Sequence, residues 1–421
     1  MTDSARGWST WLIASLCLLF QFVVQVQPSA MIPALEADLS LGAEELGFLT
    51  SSYFISYLVC QIPSGWLLDR LGPRKVMAAS SLLTAFGLVW FSLAESLESA
   101  VGARIALGVF GAPAFPAAAL VASRWFASRR FTVMLGLTES FTLLGGVLVD
   151  LALPGLVDAG GRSGSGVFLA SIALLLGLAC AFIARDRPLR RLLDPPSASG
   201  PRVPSERSLL AVMADGRIWV AAFHGGLFFS VIAAFGGLWG VPFLSLRLGI
   251  DPARAAHVMA LVFIAGALGA PLIGLVAARR RLRGPVLLVS SIACSAAAFV
   301  LVHATDSAAP VYLALLVIGF FSGAYALNLA LVVDVVADGR RGFAMGLANL
   351  VLGIVGGPMM LTLMGRGIVR SGADPSGSVL EASLAQVTAG LAWFAWSLAL
   401  LVPLGFLLLL VNRALTRGPA D

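Results

Sequence analysis

The chain has 421 residues, of which 59% are hydrophobic and only 12% are charged, and its mean hydropathy is +0.93. Soluble domains average about 45–50% apolar and about 25% charged residues, so a water-soluble fold could not hide this much apolar surface. This composition excludes disordered, collagen-like, coiled-coil and disulfide-scaffold proteins and predicts a protein that crosses a membrane many times. The net charge of +6 does not require a nucleic-acid partner, because the basic residues gather in loops on one side.

Apolar runs of membrane-spanning length follow one another along the whole chain. A bilayer core of about 30 Å needs about 20 apolar residues per helix. Backbone groups inside lipid must satisfy their own hydrogen bonds, so these runs are expected to be helices. We predict an all-α membrane protein with twelve spans, at residues 10–35, 45–68, 74–94, 99–124, 131–156, 165–184, 218–246, 254–276, 285–303, 310–335, 342–365 and 384–411.

Polar residues set the expected orientation and the division of the chain. Most of the 28 Lys and Arg residues fall on the side that both termini share, which predicts cytoplasmic termini. The only long polar stretch separates six spans from six others. The predicted organisation is a first half at residues 1–184, a cytoplasmic linker at 185–217 and a second half at 218–421.

The two halves also resemble each other. When the chain is shifted by 209 residues, Pro33 meets Pro242, Gly65 meets Gly274 and Arg74 meets Arg283. A constant offset near half the chain length predicts two parallel, pseudo-symmetric six-helix halves, an arrangement typical of transporters that bind solute near the membrane midplane.

A local motif in the loop between spans 2 and 3 is more specific. The segment 65–75 matches the pattern Gly-x-Leu-x-Asp-Arg-x-Gly-x-Arg-Lys, with its defining positions at Gly65, Asp69, Arg70, Gly72, Arg74 and Lys75. Gly65 is expected to let helices pack closely, and Gly72 with Pro73 is expected to force the turn. The motif resembles the loop signature of the major facilitator superfamily, in which it acts as a conformational gate.

The resemblance implies much about function. It implies a secondary transporter of the bacterial inner membrane that works by alternating access, is not an enzyme and needs no cofactor beyond a proton or ion gradient. The expected partners are a small-molecule solute and the lipid bilayer, with the protein a monomer. The segments at 27–31, 53–65 and 238–244 are similar to a bacterial branch that includes phagosomal nutrient carriers and lysosomal peptide carriers.

Arg104 lies inside the fourth predicted span, where a charge is costly and must find a partner or an aqueous cavity. Its surroundings resemble the family's Arg-x-x-Gln-Gly element, with Leu107 in place of the Gln. Arg104 favours an anionic or zwitterionic solute. The alternative is a structural ion pair with Asp150, which lies at a similar expected depth in the fifth span.

Glu139 and His224 are titratable groups within predicted spans. Glu139 and Asp150 are the candidates for proton coupling, because a buried carboxyl can carry a proton. The alternative for Glu139 is a hydrogen-bonded structural acid, and the alternative for His224 is a packed polar residue.

Polar residues on the spans that line the central cavity in this family form the candidate binding set. Its members are Gln21, Gln25, Arg104, His224, Trp239, Tyr325 and Asn328. Hydrogen bonding between helices is the alternative for each amide. Tyr53 and Tyr57 share a face of span 2 and are read as either packing or interface residues. The four cysteines are expected to be small buried hydrophobic residues, without a metal or a disulfide.

The predicted function is therefore proton-driven uptake (symport) of a small carboxylate, amino acid or peptide. Drug–proton antiport is the alternative, although the Gly-Pro pattern typical of drug antiporters in span 5 is absent around Gly145. An integral-membrane enzyme or a non-transporting receptor is the alternative of another class. The spans contain neither a metal-ligand spacing nor a phosphate-binding loop.

Overall fold

A computed structural model describes residues 3–126, 128–186, 210, 212–303, 307–336, 341–374 and 378–416. The chain divides into two compact units, Met1–Ala198 and Ser199–Asp421. The division falls within the predicted linker 185–217, most of which lies outside the described residues. All regular structure in the described ranges is helical.

The described part of the first unit contains a short 3-10 helix, Gln27–Ala30, and seven α-helices. They are α1 (Asp3–Val26), α2 (Ile32–Leu39), α3 (Ala43–Leu71), α4 (Pro73–Ser92), α5 (Leu97–Gly111), α6 (Ala114–Trp125) and α7 (Ser128–Phe182). Gly161 interrupts α7 with φ 63° and ψ −171°, a conformation that glycine adopts readily. It divides α7 into two arms, 128–160 and 162–182.

The described part of the second unit contains two π-helical stretches, Val231–Trp239 and Val355–Met359, together with α-helices. The helices are α8 (Gly216–Ser230), α9 (Gly240–Leu248), α10 (Pro252–Val276), α11 (Arg280–His303), α12 (Ala308–Ser322), α13 (Tyr325–Val335), α14 (Arg341–Ile354), α15 (Met360–Arg370), α16 (Leu384–Ala399) and α17 (Leu401–Thr416). Asp215 accepts a hydrogen bond from the Arg217 main chain at the start of α8, and the Arg217 guanidinium beside it lowers the pKa of this carboxyl.

The predicted twelve spans are confirmed. Ten segments of the described chain are long and apolar enough to cross a membrane. The 46-residue segment 137–182 among them contains both arms of α7 and accounts for two spans. The 29-residue helix α3 supplies the twelfth span.

The two arms of α7 run in opposite directions along α1. Trp11 Nε1 donates to Thr138 Oγ1 at 3.0 Å, and further along α1 the main chain of Leu19 lies against Gly145 of the same arm. The second arm returns, because the Cys17 and Cys180 sulfurs lie 3.4 Å apart. α1 is therefore held between both arms, and Gly145 is where the helices approach most closely.

The second unit has a close helix crossing at two glycines. A Cβ on Gly319 would collide with the main chain of Val262, and one on Gly323 would collide with that of Ala270. These two glycines, four residues apart, therefore let the end of α12 approach α10 closely.

Arg162 secures the turn between the arms of α7. Its guanidinium donates to Phe91 O at 2.9 Å and to Ala94 O at 2.6 Å, beyond the end of α4. Its Nε also pairs with Asp38 of α2 at 2.9 Å. One buried arginine thus joins main-chain carbonyl groups at the end of α4 to an acid of α2.

Candidate functional site

Arg104 of α5 is fully buried and binds the end of α1. Its Nη1 donates to Val24 O at 2.7 Å, and its Nη2 donates to Gln25 O at 3.0 Å. The last carbonyl groups of a helix have no partner within it and carry partial negative charge. The predicted intramembrane arginine is therefore held by main-chain oxygens of α1.

Aromatic and amide groups complete what we call the Arg104 cluster: Arg104, Gln21, Gln25 and Tyr53. The guanidinium carbon lies 4.7 Å from the centroid of the Tyr53 ring, within the range of cation–π attraction. The Tyr53 hydroxyl donates to Gln21 O at 3.5 Å, and Gln21 Nε2 reaches Leu107 O at the same distance. Three predicted site residues of the first unit are thus brought together, with Tyr53 as an addition.

Two donors of this cluster have no partner among the described residues. They are Arg104 Nε and Gln25 Nε2, and both atoms are buried. A buried donor without an acceptor costs about 1–3 kcal/mol. The cluster therefore has unused capacity to bind an acceptor.

The structural ion pair offered as an alternative for Arg104 does not form in this structure. Asp150 is fully buried, yet neither of its carboxylate oxygens has a hydrogen-bond partner in the described part of the chain. An equal expected depth of Arg104 and Asp150 in their helices was not sufficient to pair them, because the Arg104 guanidinium turns toward the end of α1 instead.

A second group of polar side chains continues from the Arg104 cluster. The rings of Tyr53 and Tyr57 stack with centroids 5.9 Å apart and an interplanar angle of 13°. Tyr57 hydrogen-bonds Gln61 and lies within electrostatic range of Glu139 on α7. The Tyr53–Tyr57 stack thus extends the Arg104 cluster along α3.

In the second unit, His224 and Asn328 contact each other. Asn328 Oδ1 lies 2.8 Å from His224 Nδ1, and Ser291 Oγ lies 2.9 Å from Nε2. The His224 ring is fully buried, and both of its nitrogens have protein partners. The alternative of a packed polar residue describes His224 in this structure better than a solute contact does.

Of the two remaining predicted site residues of this unit, Trp239 and Tyr325, Tyr325 meets that group through its main-chain oxygen. Trp239 is fully buried and donates from Nε1 to Leu361 O at 3.1 Å. The Tyr325 ring packs against Phe229 with centroids 5.6 Å apart. Asn328 Nδ2 reaches the main-chain oxygen of Tyr325 at 3.3 Å.

The motif loop turns at Gly72, whose φ of 79° suits glycine. Arg74 donates from its guanidinium to Ala181 O, while Arg70 and Lys75 are exposed. A Cβ at Gly65 would meet nothing within 4 Å among the described residues, so the close helix packing expected there stays a prediction. The side chain of Asp69 lies outside the described part of the structure.

Asp186 is a loop residue that sequence reasoning missed. Its Oδ1 accepts from Arg74 N at 2.8 Å, at the start of α4. It also lies against Gly72, where a Cβ would come within 2.8 Å of the carboxylate. A carboxylate at a helix N-terminus is favourable, but nothing in the loop pattern indicates that the acid comes from beyond α7.

In the second unit, the acid beside the corresponding arginine comes from a membrane-spanning helix, α13. Asp334 of α13 pairs with Arg283, the residue that the repeat aligns with Arg74, and also with Arg280 at 3.3 Å. The sequence instead places Asp334 beside Arg340 and Arg341, of which Arg340 and the Arg341 side chain lie outside the described residues. Both aligned arginines therefore donate to a main-chain carbonyl, Ala181 O for Arg74 and Ala330 O for Arg283, and Arg283 pairs with a carboxylate as well.

The family model of the Major Facilitator Superfamily matches residues 11–360. The chain belongs to this superfamily. The match includes the motif loop, the Arg104 cluster and the His224 group, so the predicted family is confirmed. Members are membrane transporters, which agrees with the predicted absence of an enzymatic role.

Among proteins of described function, this superfamily member is similar to carriers of organic anions. It is 28% identical over 179 residues to the probable sulfoacetate transporter SauU of Cupriavidus necator, covering 42% of each chain. It is 40% identical over 98 residues to the probable galactarate/D-glucarate transporter GarP of Escherichia coli K12, covering 22% of each. The chain thus matches less than half the length of either relative.

A solved structure supports the fold over the whole chain. The bacterial homologue of the human lysosomal transporter Spinster, in an inward-facing and unoccupied conformation, matches with a TM-score of 0.76. The match covers 99% of both chains at 17% identity, which shows the fold alone. The predicted twelve-helix superfamily fold is confirmed.

Proposed function

We propose that the protein takes up a small organic anion, a carboxylate or sulfonate, across the bacterial inner membrane. Uptake is driven by protons and proceeds by alternating access. The observation that carries this proposal is the state of Arg104, which is fully buried within a span and has no carboxylate partner in the described chain.

The charge of Arg104 argues for an anion. An arginine in a membrane span pairs with an acid or faces a polar cavity, because an uncompensated charge there is costly. Carbonyl groups of α1 orient the guanidinium but carry no full negative charge. The two relatives are named as probable transporters of sulfoacetate and of galactarate/D-glucarate, which are anions of this class.

The unused donors suggest how the anion is held. Arg104 Nε and Gln25 Nε2 both lack acceptors, and the oxygens of a carboxylate or sulfonate would supply them. Hydrogen bonds to charged groups contribute about 1.5–3 kcal/mol each, which is enough for selectivity over neutral solutes. Since Arg104 is buried here, solute reaches it in a conformation in which α1 has shifted.

The proton pathway is proposed to run through Glu139. The stacked Tyr53 and Tyr57 rings beside the guanidinium are the proposed link between a bound anion and this acid. Asp150 is the second candidate, because a buried carboxyl without a partner is most stable when protonated.

Solute-dependent thermal stabilisation of the purified protein tests the anion class. A ligand raises stability by RT ln(1 + [L]/Kd), so we expect sulfoacetate, galactarate or a related acid to raise the melting temperature. Arg104→Gln should weaken that ligand at least about tenfold, equivalent to about 1.4 kcal/mol. Arg162→Gln is the matched control, because it removes a buried arginine that already has an acid partner.

Two results would overturn the proposal. Stabilisation by cationic or neutral drugs but by no organic acid would favour drug antiport instead. Equal anion affinity in Arg104→Gln and in the wild type would assign Arg104 to helix capping alone.

A further inference from the structure

An apolar groove runs along the first unit between α1 and the two arms of α7. It has a volume of about 230 Å³, and all its lining residues are Leu, Ile, Val, Ala or Phe. α1 contributes Leu19 and Val23, the first arm Ala152 and Leu156, and the second arm Phe168. None of these residues belongs to the Arg104 cluster.

The groove opens outward from a closed floor. Leu148 and Phe168 at its mouth are 50% and 48% exposed, whereas Val149 and Leu169 at its floor are 1% and 5% exposed. A buried water needs two to four polar partners, and apolar cavities of about 150 Å³ stay dry and bind hydrocarbons. Water therefore does not fill this space.

The position of the groove between membrane-spanning helices indicates which kind of molecule occupies it. Both arms of α7 are membrane-spanning, so the medium at the mouth is lipid hydrocarbon. The stretch from Leu148 to Leu156 rises about 12 Å at 1.5 Å per residue. That length is shorter than half of a bilayer core of about 30 Å. The groove therefore fits within one leaflet, the one next to the Gly161 turn.

We propose that this groove binds one acyl chain of a phospholipid from the leaflet next to the Gly161 turn. The chain lies lengthwise against α1 and covers the space between the arms. It packs on the helix whose end holds Arg104, and so links the lipid to the position of that helix. The groove binds this acyl chain whichever solute the protein carries.

Photolabelling in vesicles tests the proposal. The full-length protein is reconstituted in phosphatidylethanolamine and phosphatidylglycerol vesicles containing a phosphatidylethanolamine with a diazirine in mid-chain. After illumination, peptide mass spectrometry locates the label. We expect label at Phe168 and Ile172 to be several-fold above that at Leu175, which is 65% exposed and does not line the groove.

A substitution that fills the mouth provides the decisive comparison. Ala152→Trp should lower labelling at Phe168 and Ile172 several-fold. Leu151→Trp, one residue along and 49% exposed outside the groove, should leave it unchanged. If Ala152→Trp does not fold, Ala152→Leu should give a smaller decrease in the same direction.

Other outcomes would overturn the proposal. Label spread over lipid-facing residues in proportion to exposure would mean that the groove holds no specific chain. An equal decrease in labelling at Phe168 and Ile172 in Ala152→Trp and Leu151→Trp would also mean that the groove holds no specific chain. Displacement of the label by free fatty acid but not by unlabelled phospholipid would assign the groove to a fatty acid.

Discussion

Asp150 and Asp334 are both carboxylates on membrane-spanning helices, but their surroundings differ. Asp150 has no hydrogen-bond partner among the described residues, whereas Asp334 pairs with Arg280 and Arg283. A buried polar group without a partner destabilises a fold, while one member of a buried ion pair leaves an uncompensated charge when removed. The same substitution at the two positions should therefore have opposite effects.

We expect Asp150→Ala to leave thermal stability unchanged or to raise it by about 1 kcal/mol, because it removes an unsatisfied carboxyl group. Asp334→Ala should lower stability by about 1–3 kcal/mol, since Arg283 loses its acid. Thermal unfolding of the purified variants in one detergent measures both. A loss of stability in Asp150→Ala as large as that in Asp334→Ala would show that Asp150 has a partner after all.

At the scale of single residues, the sequence predicted which groups matter better than it predicted their partners. Arg104 stands out because a charge in an apolar run is rare. Its partners, Val24 O and Gln25 O, are main-chain atoms that every residue carries, so no pattern marks them. His224 and Asn328 belonged to one candidate set, but their direct contact depends on helix rotation, which the sequence does not determine.

The motif loop is an element in which two glycines have different roles. Gly72 takes a positive φ and faces Asp186, whereas Gly65 lies inside α3 and a Cβ there would meet no atom of the described residues within 4 Å. A side chain at Gly72 is strained by the backbone and blocked by the carboxylate. At Gly65, alanine only removes the conformational freedom that makes glycine unfavourable within a helix.

Gly72→Ala should therefore lower thermal stability by at least about 1 kcal/mol, because its backbone (φ 79°, ψ 154°) lies in a region nearly restricted to glycine and because a Cβ would meet Asp186. Gly65→Ala is the matched control and should be neutral or stabilising by about 0.5–1 kcal/mol. The measurement is thermal unfolding, with solute uptake as a second readout. Equal stability of the two variants would contradict the structural role given to Gly72.

Hydropathy predicts the number of membrane spans, but it does not predict where the helices break. The twelve apolar runs predicted the spans because each must cross the same thickness of hydrocarbon. The break between α5 and α6 at residues 112–113 and the π-helical stretches lie within such runs, where hydropathy has no signal. The second stretch contains Pro358, which lacks the N–H of a regular helical bond.

The orientation of the whole molecule is a prediction from its basic loops. If both termini are cytoplasmic, a cysteine replacing exposed Asp158, near the Gly161 turn, should react with an impermeant maleimide in intact cells. A cysteine replacing Arg413, near the end of α17, should react only after the cells are permeabilised. The reverse pattern would overturn the predicted topology.

Coupling of proton movement to solute movement involves the molecule as a whole. We expect Glu139→Gln to abolish uptake driven by a pH gradient in liposomes, because an amide of similar size cannot bind and release a proton. Exchange of internal for external solute should persist, since exchange needs no net proton transfer. Radiolabelled solute flux in both modes, with and without a pH gradient, measures the difference.

The control for this experiment is Glu98→Gln, since Glu98 is an exposed acid in the first turn of α5, away from the Tyr53–Tyr57 stack. It should retain both modes of flux, because removing a solvated carboxylate leaves the path from Glu139 to Arg104 intact. Full gradient-driven uptake in Glu139→Gln would transfer the coupling role to Asp150. Loss of exchange as well would mean that Glu139 holds the solute site together, because a defect confined to proton transfer spares exchange.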